Sequence, residues 1–378
     1  ITKNNEHVNK DHEIIITDKK IREILEFKEK KVNSYHHNII LEKNLGKGLK
    51  SFAKTNDNTI EGFLHNEFPI IGIMWHPERN KNLETEIKFM KMFSELKNNW
   101  NIMKVIILAA GEGKRLSPLT NDLPKCLVTL FGKSILQRQI EIYKKLNIKD
   151  IIVITGYKKE KIKIKNIQKY YNKEFNSTNM LETLFCAEKE LEGSVIIAYG
   201  DIIFEKENLN LLINSNENIS VVIDKKWKDY WFTRMDDPIK DVESLKLDSN
   251  GYITDIGKPV KNIDEIEGQY IGLMKFQNEG LKIMKEFYKK TREQAKETGI
   301  NPLNPDISFK KSYITDFIRG LINEGQKIKA VPIEKGWLEL DTYQDYKIYN
   351  EMFDKGTISK FIRINEEKWK NPISSWCY

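Results

Sequence analysis

The sequence predicts an α/β protein whose larger part is a doubly wound, mostly parallel sheet, preceded by a smaller domain. Three observations point there. Unbroken aliphatic runs recur after residue 103, at Val105 to Leu108, Ile151 to Thr155 and Val195 to Tyr199, and such runs suit strands buried on both faces. Helical patterns alternate with them, as in Ile135 to Leu146, and that alternation belongs to crossover-connected parallel strands with ligands at their carboxyl ends. Finally, 378 residues exceed what one core ordinarily supports.

Taken in order, the first hundred residues end in a helical spacing over Glu84 to Leu96, with apolar positions at Ile87, Met90, Phe93 and Leu96. The polar Lys97-Asn98-Asn99 stops it, so the boundary is expected between Lys97 and Met103, giving domains 1–100 and 103–378. The Val105 strand then runs into Ala109-Ala110-Gly111-Glu112-Gly113-Lys114-Arg115. Two alanines leave a flat nucleobase room against the backbone. Gly111 and Gly113 permit a turn whose N–H groups converge on an anion, and Lys114, Arg115 and Lys125 bring positive charge to it. Arg115 offers a two-pronged grip on phosphate and Lys125 a point charge, while Pro118 and Pro124 stiffen the intervening loop. Better-known phosphate loops fail on spacing. A dinucleotide fingerprint needs glycine where Leu116 stands, and a P-loop ending at Gly132-Lys133-Ser134 needs glycine where Leu127 stands.

Further along, the Val195 strand runs straight into Gly200-Asp201, and Trp337-Leu338-Glu339-Leu340-Asp341 is a second acidic site. Alone, each aspartate fits a helix cap or a turn. Between them, Asn172 and the polar run Asn176 to Met180 are expected to cap a helix over Leu181 to Leu191. Val221 to Trp227 reads as a strand ending in a basic, aromatic rim, followed by a hairpin near Ile256-Gly257-Lys258 and a strand near Gly268 to Gly272. Gly299 to Pro305 reads as a loop, and the tail 355–378 is unassigned.

The signature Leu108-Ala109-Ala110-Gly111-x-Gly113-x-Arg115-Leu116, with Pro118-x-Thr120 and Pro124-Lys125, resembles that of the nucleotidyltransferases that make NDP-sugars and CDP-alcohols. The resemblance implies Mg²⁺ held by Asp201 and Asp341, with Glu339 less firmly included, and a triphosphate held by Lys125 and Arg115. It places nucleotide contacts at Leu108, Ala109, Ala110, Gly111, Gly113, Gly156, Asn179 and Gly200. It implies an in-line attack by an acceptor phosphate on the α-phosphorus of the nucleotide, without a side-chain nucleophile. The middle of the chain resembles the branch that transfers CMP from CTP to small phosphorylated amines and amino acids. Phospho-L-glutamine, in capsule or surface-glycan modification, is the expected acceptor. Lys225 and Lys258 are candidates for its phosphate, and Trp227, Trp231 and Arg234 for its pocket or, for the tryptophans, for the core. A sugar-1-phosphate or phosphocholine nucleotidyltransferase and a non-catalytic nucleotide-sensing module stay open.

Val32-Asn33-Ser34-Tyr35-His36-His37 and Gly72-Ile73-Met74-Trp75-His76-Pro77-Glu78 resemble the C-terminal half of a class I glutamine amidotransferase, close to the gamma-glutamyl hydrolase branch. The resemblance makes His76 the activator of a cysteine and Glu78 the residue that orients its ring. That cysteine belongs on an upstream Gly-x-Cys-x-Gly elbow, and Cys126, Cys186 and Cys377 all lie beyond the module. The chain is therefore expected to be N-terminally incomplete and this part inactive as it stands. A hydrolase of that kind could split the amide of a cytidylylated phosphoglutamine, so one module would make the other's substrate.

Composition excludes other classes. With 40% hydrophobic and 31% charged residues the chain reads as an ordinary globular protein, and its net +7 is scattered rather than gathered into a nucleic-acid face. No run of 18 apolar residues suggests a membrane span, and no signal peptide is evident. Three unpaired cysteines suit a reducing cytoplasm. The expected partners are CTP and a small phosphorylated acceptor, with a homo-oligomer possible.

Overall fold

The computed structural model describes residues 2–3, 8–65, 70–79, 87–88 and 103–364, and divides into two compact units, Ile1–Asn101 and Ile102–Tyr378. Most of the helix expected over Glu84 to Leu96 and the chain beyond residue 364 lie outside the described residues.

The first unit is built on a five-stranded sheet in which Glu29–Tyr35, Val8–Ile16, Leu49–Thr55, Ile60–His65 and Ile71–Ile73 follow one another across the sheet, antiparallel throughout. Alternate residues of these strands, Ile14, Ile16, Val32 and Phe52, turn inward and pack with Ile21 and Leu25 of the helix Lys19–Leu25 and with Trp75. Glu61 is fully buried, its carboxylate 3.5 Å from His12 Nε2 and 3.4 Å from His36 Nε2.

In the second unit seven strands form the central sheet, in the order Gln168–Tyr171, Asp150–Thr155, Met103–Ala109, Ser194–Tyr199, Gln269–Gln277, Ile219–Asp224 and Lys329–Ile333. Every neighbouring pair is parallel except the two made by Gln269–Gln277, which runs against the rest. Val105, Ile106 and Ile107 are wholly buried, as are Val195, Ile196 and Ile197, because helices cover both faces of the sheet. Each such side chain contributes about 2 kcal/mol. Ile135–Lys145, capped by Ser134, is amphipathic, burying Leu136, Gln139, Ile140 and Tyr143.

Two expected elements differ, and the expected hairpin is present. The helix after Asn179 is only Met180–Phe185, because its last turn tightens into i→i−3 bonds from Cys186 and Ala187, and a 3₁₀ turn Glu188–Glu190 follows. After the strand Ile219–Asp224 comes no rim but a helix, Trp227–Arg234, which buries Trp227, Tyr230, Trp231 and Arg234. The hairpin is made by Glu243–Leu247 and Ile253–Pro259. In the described part of the tail, Ile358, Phe361 and Ile362 are buried and Arg363 pairs with Glu205 at 2.6 Å.

Candidate active site

The carboxyl ends of the Met103–Ala109 and Ser194–Tyr199 strands lie side by side, so the turns that follow them share one rim of the sheet. Gly113 takes a left-handed conformation, φ 66°, and a β-carbon there would sit 2.9 Å from Lys125 Cβ. The turn thus closes against the stem of Lys125. Gly111 does something else: its φ is not left-handed, and a β-carbon there would meet nothing within 4 Å, so its bareness widens the opening. Thr120 ties the loop back by donating to the Gly113 carbonyl at 2.8 Å.

Asp201 is pinned from four sides. Gly200 N–H donates to the Leu108 carbonyl at 2.9 Å, and a side chain at Gly200 would strike that oxygen at 2.6 Å. Gln139, fully buried, donates to the carbonyls of Tyr199 and Ile202 at 2.8 and 2.7 Å, on either side of the aspartate. From below, Leu340 N–H donates to the Asp201 carbonyl at 2.9 Å while Trp337–Glu339 pairs antiparallel with Ile202–Phe204. This pairing brings the second acidic segment, far away in sequence, to the first.

Lys125 Nζ lies 2.6 Å from Asp201 Oδ2 and 2.8 Å from Asp341 Oδ1, and Arg115 Nη2 lies 2.8 Å from Asp341 Oδ2. Asp201, Glu339 and Asp341 each offer an oxygen within 4.8 Å of the others. Asp201 Oδ1 is buried without a hydrogen-bond partner among the described residues. Burial opposes charge on Lys125, but Asp201 and Asp341 outweigh it and raise its pKa. Burial likewise pushes Asp341 up, and Lys125 and Arg115 together bring it below the usual carboxylate range. Glu339 goes the other way: burial, with Asp201 and Asp341 alongside, pushes it up to about 7 despite Arg234.

Above this cluster opens a cleft of about 280 Å³. Its walls include Leu108, Ala109, Ala110, Gly111, Gly113, Arg115, Lys125, Asn179, Gly200, Asp201 and Asp341. Gly156 is not on the wall; a β-carbon there would lie 2.4 Å from the Ala110 carbonyl, so it lets two strand ends approach behind the cleft. Phe175, Thr178, Met180 and Thr183 also line it. Phe175 and Thr183 escaped sequence reading, although Asn172 gave a signal: its amide donates to both Thr178 and Thr183, fixing that wall.

The acceptor candidates do not converge there. Trp227 is packed in the core and Trp231 donates to Asp241 at 2.9 Å, so neither ring faces the cleft. Arg234 is buried against Glu339 and Asp345, behind the acidic segment. Lys225 is exposed and Lys258 pairs with Asp255 at 2.6 Å; neither lines the cleft. Where Lys225 and Trp227 were expected on a strand's rim, the helix Trp227–Arg234 turns the aromatic face inward instead.

In the first unit, His76 Nδ1 meets Glu78 Oε1 at 2.8 Å. Asn33 fixes the histidine backbone, its amide nitrogen donating to the His76 carbonyl and its oxygen accepting from His76 N–H, both at 2.8 Å. The hydrogen bond from His76 holds the exposed Glu78 carboxyl below its ordinary value.

Comparison with known proteins agrees with both units. Residues 104–228 match the family model described as Nucleotidyl transferase, and residues 2–78 that described as Peptidase C26. The CTP:phosphoglutamine cytidylyltransferase of Campylobacter jejuni is 37% identical over 261 residues, covering 66% of this chain and all of that protein. The choline-phosphate cytidylyltransferase of Streptococcus pneumoniae is 38% identical over 117 residues, 30% of this chain and 51% of its own. Among solved structures, the CTP:phosphocholine cytidylyltransferase of Streptococcus pneumoniae superposes with a TM-score of 0.51 at 21% identity, over 66% of this chain and 99% of that one. A putative glucose-1-phosphate thymidylyltransferase of Bacillus anthracis gives 0.51 at 17%, over 70% and 98%. These two likenesses establish the fold.

Proposed function

Because the chain belongs to the nucleotidyltransferase family, we propose that it is a Mg²⁺-dependent cytidylyltransferase that moves CMP from CTP onto the phosphate of a small acceptor, phosphorylated glutamine, and releases pyrophosphate. The observation that carries this reading is the meeting of Lys125 with Asp201 and Asp341 at the mouth of a glycine-lined cleft.

The base lies against Ala109 and Ala110, where side chains are small, in the cleft that Phe175, Asn179 and Thr183 also line. The N–H groups of the Gly111 to Gly113 turn and the side chains of Arg115 and Lys125 take the phosphates. Both cations now neutralise Asp341, so phosphate oxygens and the aspartates compete for them. The donor set fits a hard divalent ion: three carboxylate oxygens within 4.8 Å and, in Asp201 Oδ1, a buried acceptor awaiting a partner. When bound by Asp201 and Asp341, such an ion neutralises charge on the reacting phosphates and helps align them. An oxygen of the acceptor phosphate then forms a bond to the α-phosphorus while the bond from that phosphorus to the oxygen bridging to the β-phosphate breaks. Pyrophosphate carries the electron pair away, so the protein supplies alignment and charge, not a nucleophile.

The 37% identity to a CTP:phosphoglutamine cytidylyltransferase over its whole length supports the choice of acceptor. A cytoplasmic role in capsule or surface-glycan modification is part of the same proposal. The His76–Glu78 pair supports a gamma-glutamyl hydrolase reading of the first unit, for which residues 1–101 contain no cysteine nucleophile. The test is to incubate the full chain with each of four nucleoside triphosphates, Mg²⁺ and a panel of phosphorylated glutamine, phosphocholine and sugar 1-phosphates, and to follow pyrophosphate. CTP with phosphorylated glutamine should be the fastest pair. Release only with a sugar 1-phosphate defeats the acceptor assignment, and nucleotide binding without any release defeats the enzymatic one.

A further inference from the structure

Arg234 closes the helix Trp227–Arg234, and its side chain is 1% exposed. Its Nε and Nη2 lie 3.1 and 3.3 Å from the two oxygens of Asp345, and its Nη1 lies 3.2 Å from Glu339 Oε2. The two acids flank the loop that carries Asp341. Asp345 Oδ2 in turn accepts from Asp341 N–H at 3.1 Å and Thr342 N–H at 2.8 Å, while Thr342 Oγ1 accepts from Asp345 N–H at 3.0 Å. One guanidinium therefore grips the loop on both sides, and one of its partners holds the Asp341 backbone directly.

We propose that Arg234 is a positioning residue for nucleotidyl transfer, a buried clamp that holds the segment from the strand end at Glu339 to the helix start at Asp345 so that Asp341 faces Asp201. This rests on the cytidylyltransferase reading above. Asp201, Glu339 and Asp341 repel one another at these separations, and Lys125 and Arg115 are exposed to capture by substrate phosphates. Arg234 lies behind the segment and off the cleft wall, so its charge stays with the acids when phosphates engage the other two cations. Stability alone gives little reason for such a network, since a buried ion pair is often no better than apolar packing of the same volume. Alignment gives one.

The test compares the unsubstituted full chain with Arg234→Gln, Asp345→Asn and a control, Arg319→Gln, which breaks a similar Arg–Asp pair, 2.8 Å to Asp316, away from the site. Mn²⁺ binding is read from loss of the free-ion electron paramagnetic resonance signal, beside kcat, the KM for CTP and melting temperature. Arg234→Gln should weaken Mn²⁺ binding and lower kcat by roughly 10–100-fold with the CTP KM within about threefold, and Arg319→Gln should change only melting. Arg234→Lys should restore part of the loss. If Arg234→Gln does not fold, Asp345→Asn should show the same split. Mn²⁺ affinity and kcat within about twofold of the unsubstituted chain, or equal losses in the control, overturn the clamp. Absence of Mn²⁺ uptake by the unsubstituted chain overturns the metal reading itself, and the clamp with it.

Discussion

Asp201→Asn is the sharpest perturbation of the site, because the side chain keeps its shape and loses its charge. The Lys125 ammonium stands 2.6 Å from Asp201 Oδ2, and both side chains are about 15% exposed. At that separation and an effective dielectric constant near 20, the Coulomb term is about 6 kcal/mol. An amide oxygen recovers part of it as a neutral hydrogen bond, and removal of one preorganised charge ordinarily costs about 3–4 kcal/mol of transition-state stabilisation, on the order of 10²–10³ in rate. The fold should survive, since the backbone bonds of this turn, Leu340 N–H to the Asp201 carbonyl among them, do not involve the carboxylate. The assay is pyrophosphate release from CTP, Mg²⁺ and phosphorylated glutamine, with melting temperature in parallel. A folded Asp201→Asn variant that retains activity within about threefold would refute the assignment of Asp201.

Gly113→Ala forces a β-carbon into a left-handed turn and against Lys125 Cβ at 2.9 Å; it should destabilise the second unit by about 1–2 kcal/mol, read by denaturant titration, and weaken CTP binding, read by calorimetry. Lys275 is wholly buried, donates to the Ile213 and Ser215 carbonyls, and is pushed down by burial to about 8. The unfolded chain keeps that proton to about pH 10.4, so Lys275 makes stability rise from roughly pH 8 to pH 10, and Lys275→Met should flatten that rise in denaturant titrations at several pH values. Lys125→Met should raise the KM for CTP and lower kcat together, by on the order of 10² or more, in the pyrophosphate assay. The chain should release no product from a gamma-glutamyl amide, and His76→Ala should leave pyrophosphate release unchanged; hydrolysis that disappears in His76→Ala would overturn the expected inactivity of the first unit, whose residues 1–101 contain no cysteine.

How much of this was legible depends on the range of the signal. The Val105 strand, the glycine turn and the Ser134-capped helix are local in cause, so their residues announce them. The meeting of Asp201 with Asp341 is not local, and came from family resemblance; physically it needs the ladder between Ile202–Phe204 and Trp337–Glu339. In the helix Trp227–Arg234 the residues Trp227, Tyr230, Trp231 and Arg234 follow helical spacing on one buried face, but a charged arginine in that stripe and the exposed Phe232 outside it blur the apolar periodicity and imitate a strand's rim. Thr342-x-x-Asp345 is a capping box that begins immediately after Asp341, and was readable as one. What sequence could not disclose is that the same carboxylate also receives Arg234 from over a hundred residues away.

The central claim is tested most directly by the mass of the product formed from CTP and phosphorylated glutamine. The predicted species joins CMP to the intact acceptor, with one pyrophosphate released for each molecule made. An acceptor recovered unchanged, while a sugar 1-phosphate or phosphocholine in the same mixture is converted, would contradict it.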